Sequence, residues 1–300
     1  MGRRAVITGA FSNTGVAVAR ELARRGWQLH TLTRRSAPAG STVTRAPLVF
    51  ERDHLRQELQ GADLVVNTYW VRFAGHGASF DRAVENIKLL VDVAKEVGVR
   101  RFVHVSVSNP DADSRLGYYR GKALAEEHLR LSGLSHAIVR PTLVVGPSDV
   151  LTGNLLWLLR RFPFFLVPGD GAYRVQPVTL DDNGRIIADA AEADGDVVVD
   201  AAGPEVFTFR AYLELLAEVA RVRRLFVPVP NAVALAAVAV VGLVVNDTVL
   251  AREELWGLQE ERLLSHHPPR GTESVRGWLR EHGAALGQRY VNDRALHGGA

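Results

Sequence analysis

The stretch from Arg4 to Arg35, R-A-V-I-T-G-A-F-S-N-T-G-V-A-V-A-R-E-L-A-R-R-G-W-Q-L-H-T-L-T-R-R, constrains the fold more than any other. Ala5, Val6 and Ile7 form an apolar run without alternation, the pattern of a strand buried on both faces. Gly9 and Gly15 bracket the turn that follows, and Val16, Ala19, Leu22 and Ala23 then recur at helical spacing. Gly26 supplies the helix stop, and Gln28 to Thr33 reads as a second strand. A strand, glycine turn, helix and strand within about thirty residues has the size of a dinucleotide-binding βαβ unit. A glycine at the strand end lets the backbone turn tightly beside a pyrophosphate, and the helix aims free N–H groups and its positive end at that anion. Gly15, lacking Cβ, lets the helix sit close on the strand. Thr8, Gly9, Phe11, Ser12, Asn13, Thr14 and Gly15 are therefore the expected phosphate-side residues, Ser12 donating its hydroxyl. The competing reading is a βαβ turn that binds nothing.

The end of the second strand bears on which dinucleotide. An NAD site usually places Asp or Glu there to accept from the ribose 2′-hydroxyl. This chain offers Thr33, Arg34 and Arg35, and no acid. Planar, permanently charged guanidinium groups suit a 2′-phosphate, so NADP(H) is expected over NAD(H). Surface arginines in an arginine-rich chain are the alternative.

Composition narrows the field. A chain of 300 residues, 47% hydrophobic and 23% charged, has ample core for one large or two modest globular domains. The net charge is +3 with acids interspersed, so no nucleic-acid footprint is read. Cysteine is absent, which removes disulfides, thiolate metal sites and a cysteine nucleophile. His266 and His267 precede Pro268 and Pro269 and read as loop, so no metal site is expected. The first strand begins almost at once, so no signal peptide is expected and the location is read as cytoplasmic.

Further strands are expected at Leu48–Phe50, Asp63–Thr68, Arg101–Ser106 and Ser135–Arg140. Asp53 lies either near an adenine or at the N-cap of a helix over His54–Gln60. Thr68 and Tyr69 fall at a strand's carboxyl end, where ligands of open α/β sheets sit. Ser79 to Val97 reads as a long helix, and Asn86 on its apolar side either braces the neighbouring strand or simply lies on the surface. The fifth strand delivers Ser106, and Ser108 just beyond it, to the same edge.

Tyr118 and Lys122 stand four apart at the start of a helix, hence on one face. A lysine ammonium beside a phenol favours phenolate, and such a tyrosine can exchange a proton with a substrate hydroxyl or carbonyl during hydride transfer. A nearby serine would orient that oxygen. Lys122 is one of three lysines in a chain that otherwise uses arginine.

These segments together are recognisable. Thr8-Gly9-Ala10-Phe11 to Gly15, Asn67 to Trp70, His104-Val105-Ser106, Tyr118 to Lys122 and Arg140-Pro141-Thr142 resemble the atypical, extended short-chain dehydrogenase/reductases. Pro168 to Gly171, Gln176-Pro177-Val178 and Gly203-Pro204-Glu205 extend the resemblance over nearly the whole chain. More narrowly, the pattern is similar to epimerase-like bacterial proteins related to the 39 kDa accessory subunit of respiratory complex I. The resemblance implies a doubly wound parallel sheet with cofactor across its carboxyl edge. Pro141 and Thr142 would lie near nicotinamide, and Lys122 would bond the ribose. Two positions depart from the family. Ser12 replaces a glycine, and the usual serine or threonine of the active site is Val107, flanked by Ser106 and Ser108. The family contains both enzymes and a cofactor-binding structural subunit, so both functions stay open.

The implied layout is a Rossmann domain over 1–146, with 175–202 returning to it, and a smaller, mainly helical lobe over 147–174 and 203–300. Val150 to Pro168 is apolar and either roofs a substrate pocket or fills an inter-domain core. Asp181 or Asp182 is expected to cap a helix, and Val197 to Asp200 to form an edge strand. Later helices are expected over Phe207–Arg221, Arg252–Leu264 and Glu273–His282. Ala232 to Val245 carries no charge over fourteen residues, too short for a membrane span of about 20. It is expected to be a buried or partner-facing helix, with a membrane-surface contact as the alternative. No substrate motif is recognisable, and homo-oligomerisation stays open.

Overall fold

The computed structural model describes residues 2–72 and 79–292. Two compact units emerge, 1–141 with 180–201, and 142–179 with 202–300. The first begins with β1 (Arg4–Thr8), α1 (Asn13–Arg24), β2 (Gln28–Leu32), β3 (Thr44–Ala46) and α2 (Arg52–Leu59). It continues through β4 (Leu64–Asn67), α3 (Phe80–Glu96), β5 (Arg101–Val105), α4 (Gly117–Leu131) and β6 (His136–Pro141). The chain then builds β7 (Leu143–Val145), α5 (Val150–Arg161), β8 (Phe164–Pro168), β9 (Arg174–Val175) and β10 (Pro177–Thr179) in the second unit. It returns for α6 (Leu180–Glu192) and β11 (Val197–Ala201) in the first. The remainder is β12 (Phe207–Thr208), α7 (Phe209–Val219), β13 (Leu225–Val229), α8 (Asn231–Val245), α9 (Arg252–Gln259) and α10 (Val275–His282).

The first unit is a seven-stranded parallel sheet in the order β11-β6-β5-β4-β1-β2-β3. The order reverses at β1, with β4 and β2 on its two sides, which makes the crevice above β1 the place for a ligand. Alternation along each strand feeds two cores. Ala5, Ile7, Val66 and Val103 join Val18, Leu22 and Ile187 of α1 and α6 on one face. Val6, Val65, Phe102 and Ile138 join Leu55, Leu90 and Leu129 of α2, α3 and α4 on the other. Each fully buried Leu or Ile stabilises this arrangement by roughly 1.5–3 kcal/mol. The expected doubly wound parallel sheet is thus observed.

Several expectations need correction. The third strand is β3, Thr44–Ala46, not Leu48–Phe50; Phe50 instead sets its ring 4.6 Å from that of Tyr69. Asp53 is in the first turn of α2, where Glu51 holds the N-cap position, and Asp53 pairs with Arg56 at the surface. Asp181 and Asp182 likewise lie inside the first turn of α6 rather than at its cap, because the helix already begins at Leu180.

In the second unit, Leu143, Leu156, Val167, Tyr212, Leu216 and Leu279 share one core. The family-like residues here hold loops together. Gln176 donates to the Gly203 carbonyl at 2.8 Å and accepts from the Ser265 amide at 3.0 Å. The Glu205 carboxylate accepts from Ser274 Oγ and the Arg276 amide at the start of α10. The 150–168 segment resolves into α5 and β8, and Leu155, Leu156 and Leu159 enter this unit's own core. Only Ala234 of α8 is buried, so a buried helix, one of the two readings favoured from sequence, is not found. No helix among the described residues is long and apolar enough to cross a membrane.

Close approach of α6 to α1 depends on a missing side chain. A Cβ on Gly184 would lie 2.7 Å from the Ala17 Cβ and 2.9 Å from its backbone carbon. Gly184→Leu is therefore expected to lower unfolding free energy by about 1–3 kcal/mol through overpacking, seen as a lower urea midpoint. A midpoint equal to wild type would contradict this packing.

Candidate functional site

The carboxyl edge of the sheet is built from the glycine turn upward. Gly9 leaves β1 with φ +78°, a left-handed value that glycine adopts without steric cost. A Cβ on Gly15 would lie 2.0 Å from the Gly9 carbonyl oxygen, so only glycine allows α1 to start there. Ser12 is the N-cap, its Oγ accepting from the Gly15 amide at 3.2 Å. Its hydroxyl proton remains available to donate outward. Asn13 and Thr14, opening the helix, have amides without an intrahelical acceptor. Asn13 Oδ1 is buried with no hydrogen-bond partner. Bare amides, a helix N-terminus and a cradle closed to any Cβ fit a dinucleotide pyrophosphate.

The second strand reaches this turn through Arg35, whose Nη1 donates to the Phe11 carbonyl at 3.3 Å. Arg34 is exposed. Arg45 of β3 donates to the Arg35 carbonyl at 3.0 Å and adds a third arginine to the same corner. Placing the third strand at Leu48–Phe50 hid Arg45; the β-branched Thr42-Val43-Thr44 run was the available signal.

Thr8 is a buried knot rather than an open ligand. Its Oγ1 donates to Asn67 Oδ1 at 2.9 Å and accepts from the Thr68 and Tyr69 amides at 2.9 and 3.1 Å. Thr68 Oγ1 donates to the Thr8 carbonyl and faces Gly9. Asn67 Nδ2 donates to His104 Nδ1 at 3.1 Å, so the neutral ring carries its proton on Nε2. That Nε2 is buried without a partner. Burial, reinforced by the charge of Lys122, holds His104 well below the ordinary imidazole range. Asn86 Nδ2 donates to the Tyr69 hydroxyl at 3.0 Å, so it braces the segment that follows β4.

Lys122 is buried, and its Nζ donates to the Val105 carbonyl at 2.8 Å, beside Ser106. The same nitrogen sits 4.6 Å over the Trp70 ring. Burial pushes its ammonium down to about 7, against the opposing carboxylate of Glu126. Glu126, one helical turn on, is 1% exposed and accepts from Arg140 at 3.0 and 2.6 Å and from Arg130 at 2.7 Å. Glu126 escaped the sequence reading, although its four-residue spacing from Lys122 was a signal. Tyr118 meets Trp70 edge-on at 5.8 Å and Phe80 at 6.0 Å, while Trp70 and Phe80 stack at 6.2 Å. Gly117 and Gly121 make room for them: a Cβ would come within 2.8 Å of Phe80 and 2.9 Å of Trp70, respectively.

The two candidate serines differ. Ser106 Oγ is buried with no partner, whereas Ser108 is fully buried, with its amide donating to the Pro141 carbonyl at 2.9 Å. Pro141 ends β6, and Thr142, also buried, opens the second unit. The edge thus gathers the glycine turn, Arg35 and Thr68 at β1, and Lys122, Ser106 and Tyr118 around β5 and α4.

Residues 9–149 match a family model described as NAD(P)H-binding. The chain is 27% identical over 258 residues to the mitochondrial NADH dehydrogenase [ubiquinone] 1 alpha subcomplex subunit 9 of Arabidopsis thaliana, covering 81% of this chain and 64% of that protein. With the Dictyostelium discoideum protein of the same name it shares 24% over 186 residues, 60% of this chain and 51% of that one. The chain therefore spans between about half and two thirds of the length of these relatives. Among solved structures, a nucleoside-diphosphate-sugar epimerase from Staphylococcus aureus aligns with a TM-score of 0.72 at 16% identity, over 92% of this chain and 99% of that one. An NADPH-dependent quinone oxidoreductase from Escherichia coli, complexed with NADPH, gives 0.72 at 19% identity, over 93% and 99%. At these identities the structural likeness establishes the fold. The chain carries an NAD(P)-binding domain of Rossmann type. It is homologous to the 39 kDa subunit of complex I and is built like the NAD-dependent epimerases and short-chain reductases.

The Lys122 environment has a measurable signature. Its ammonium falls from 10.5 to about 7 in the folded chain, so the unfolded chain holds more protons between those values. Stability therefore rises with pH across that window. In Lys122→Met this rise is removed, and Tm should gain less from pH 7 to 9.5 than in wild type. Identical pH slopes for the two proteins would contradict a buried, desolvated amine.

Proposed function

We propose that the chain binds NADP(H) along the carboxyl edge of its sheet and carries out hydride chemistry on a small molecule. The observation that carries this reading is the glycine turn with Arg35 fastened to it. The turn and the α1 amides would receive the pyrophosphate, and Arg34, Arg35 and Arg45 would face a 2′-phosphate. Lys122 would hold the nicotinamide ribose, with Pro141 and Thr142 beside the ring. Bound nicotinamide supplies or accepts the hydride. Tyr118 would pass the accompanying proton to or from a substrate oxygen, and Ser106, whose Oγ has no partner, would position that oxygen.

One observation favours a second, non-catalytic reading. Tyr118 stands edge-on to a stacked Trp70–Phe80 pair, and Trp70 covers Lys122, so aromatic side chains crowd the proposed proton donor. A cofactor held there would stabilise the domain, and function would lie in contacts with a larger assembly, as the names of the homologous subunits suggest for those proteins.

Titration with NADPH and NADH, followed by energy transfer from the five tryptophans to reduced nicotinamide, tests the binding proposal. Wild type should prefer NADPH. Arg34→Glu with Arg35→Glu should weaken NADPH at least tenfold more than NADH; equal loss for both removes the 2′-phosphate assignment. Cofactor oxidation by a panel of quinones and ketones then separates the two readings. Turnover lost in Tyr118→Phe with NADPH affinity intact supports the enzyme, and tight binding without turnover supports the structural role.

A further inference from the structure

A surface helix ordinarily turns polar residues to water and apolar ones inward. α8 does not. Its outward positions recur at helical spacing, Ala232, Val233 and Ala236 toward one end and Val240, Leu243 and Val244 toward the other. Leu243 and Val244 are each 84% exposed, and Val240 63%. The inward side is apolar too, with Val238, Val241 and Val245 on Trp157, Leu158 and Phe165.

A neighbouring corner shares this character. Residues 161–164, Arg-Phe-Pro-Phe, are all exposed, and Leu225, 67% exposed, pairs with Phe164 in the β8–β13 ladder. Trp157 connects the corner to α8. Its ring lies 6.5 Å from that of Phe162, and the Arg161 guanidinium stacks 4.5 Å above it.

Charge settles what kind of partner this face suits. The segments that build it, 150–169 and 219–246, hold five arginines, at 160, 161, 221, 223 and 224; the acids that flank them are Asp149, which caps α5, Glu218, which pairs with Arg280, the buried Asp247, and Asp170. None of the five pairs with a carboxylate among the described residues; Arg160 and Arg224 instead donate to backbone carbonyls, those of Ala220 and Leu159 among them, which leaves the other three for phosphates. Arg161, Arg221 and Arg223 are exposed. Arginine stems can lie along apolar surface while their heads reach phosphates. The α8 stripe offers only small aliphatic side chains, with no polar group to fix register against a folded protein, whereas a lipid surface asks for none.

We propose that α8 and the Arg161–Phe164 and Leu225 corner rest on an anionic lipid surface, the aliphatic stripe in the headgroup–acyl boundary and the arginines at the phosphates. α8 has 15 residues, about 22 Å at 1.5 Å per residue, short of the roughly 30 Å hydrocarbon core, so it lies along the membrane and does not cross it. This inference does not depend on which dinucleotide the first unit binds.

Flotation of the full chain with vesicles of phosphatidylcholine, or of phosphatidylcholine mixed with phosphatidylglycerol, tests it. The protein should float with the mixed vesicles and only weakly with the neutral ones. Arg161→Gln with Arg223→Gln should reduce partitioning roughly thirty-fold, two arginines' worth of attraction to an anionic surface. Leu243→Asp with Val244→Asp should abolish it, and since both side chains point to solvent, the variant should keep the wild-type Tm. Failure to float with either vesicle overturns the proposal, as does flotation unchanged by both variants. Self-association in sedimentation velocity that Leu243→Asp abolishes, without vesicle binding, also overturns it and assigns the face to a second copy of the chain.

Discussion

Much of the first unit depends on the contact between the Gly15 α-carbon and the Gly9 carbonyl. Any Cβ at Gly15 would collide with that oxygen, so the absence of a side chain sets how closely α1 follows β1. That spacing places the helix N-terminus at the strand end and frees the Asn13 and Thr14 amides at the point where the strand order reverses. It also presses α1 down toward the sheet, where Val18 and Leu22 join Ile187. Anion recognition and core packing are thus two results of one steric allowance. Ser12 is compatible with it because the side chain caps the helix instead of filling the cradle.

A second constraint is the polarity buried behind that edge. Thr8, Asn67 and His104 run across three adjacent strands as a chain of hydrogen bonds, each satisfying part of the next. Removing one member would leave its neighbour buried and unpaired, which generally costs more than the bond itself contributes. Lys122 and Glu126 add a buried cation and anion on one helix face, and Arg140 and Arg130 balance the carboxylate. Among the described residues Lys122 retains the Val105 carbonyl and the Trp70 face, and this thin solvation brings its ammonium into the neutral range.

What the sequence revealed follows from how local each signal is. The strands β1, β4, β5 and β6 were legible because each holds a short apolar run, β2 because it follows the Gly26 helix stop, and the glycine turn because its spacing lies within one βαβ unit. β3 was not, since a three-residue edge strand, T-R-A, carries little apolar signal beside the more hydrophobic L-V-F that follows. Tyr118, Lys122 and the serines were legible as a motif, but the unpartnered Ser106 could not be distinguished from Ser108 without tertiary structure. Glu126 was hidden because Arg140 reaches it from a different element. The apolar character of α8 was plain in the sequence, but its exposure was not, because hydropathy records what a helix is made of and not what stands beside it.

The first unit is not continuous along the chain. β11, the strand that completes its sheet, and α6, which covers α1, arrive only after the 142–179 excursion into the second unit. As the chain leaves the ribosome, β1 to β6 can assemble while the α1 face bearing Val18 and Leu22 still lacks α6. Closing that face must wait until residues 180–201 emerge, by which time part of the other unit has been made. Synthesis order therefore interleaves the two units, and a chain truncated between β6 and α6 would leave a Rossmann sheet with β6 as a bare edge strand and one uncovered apolar face.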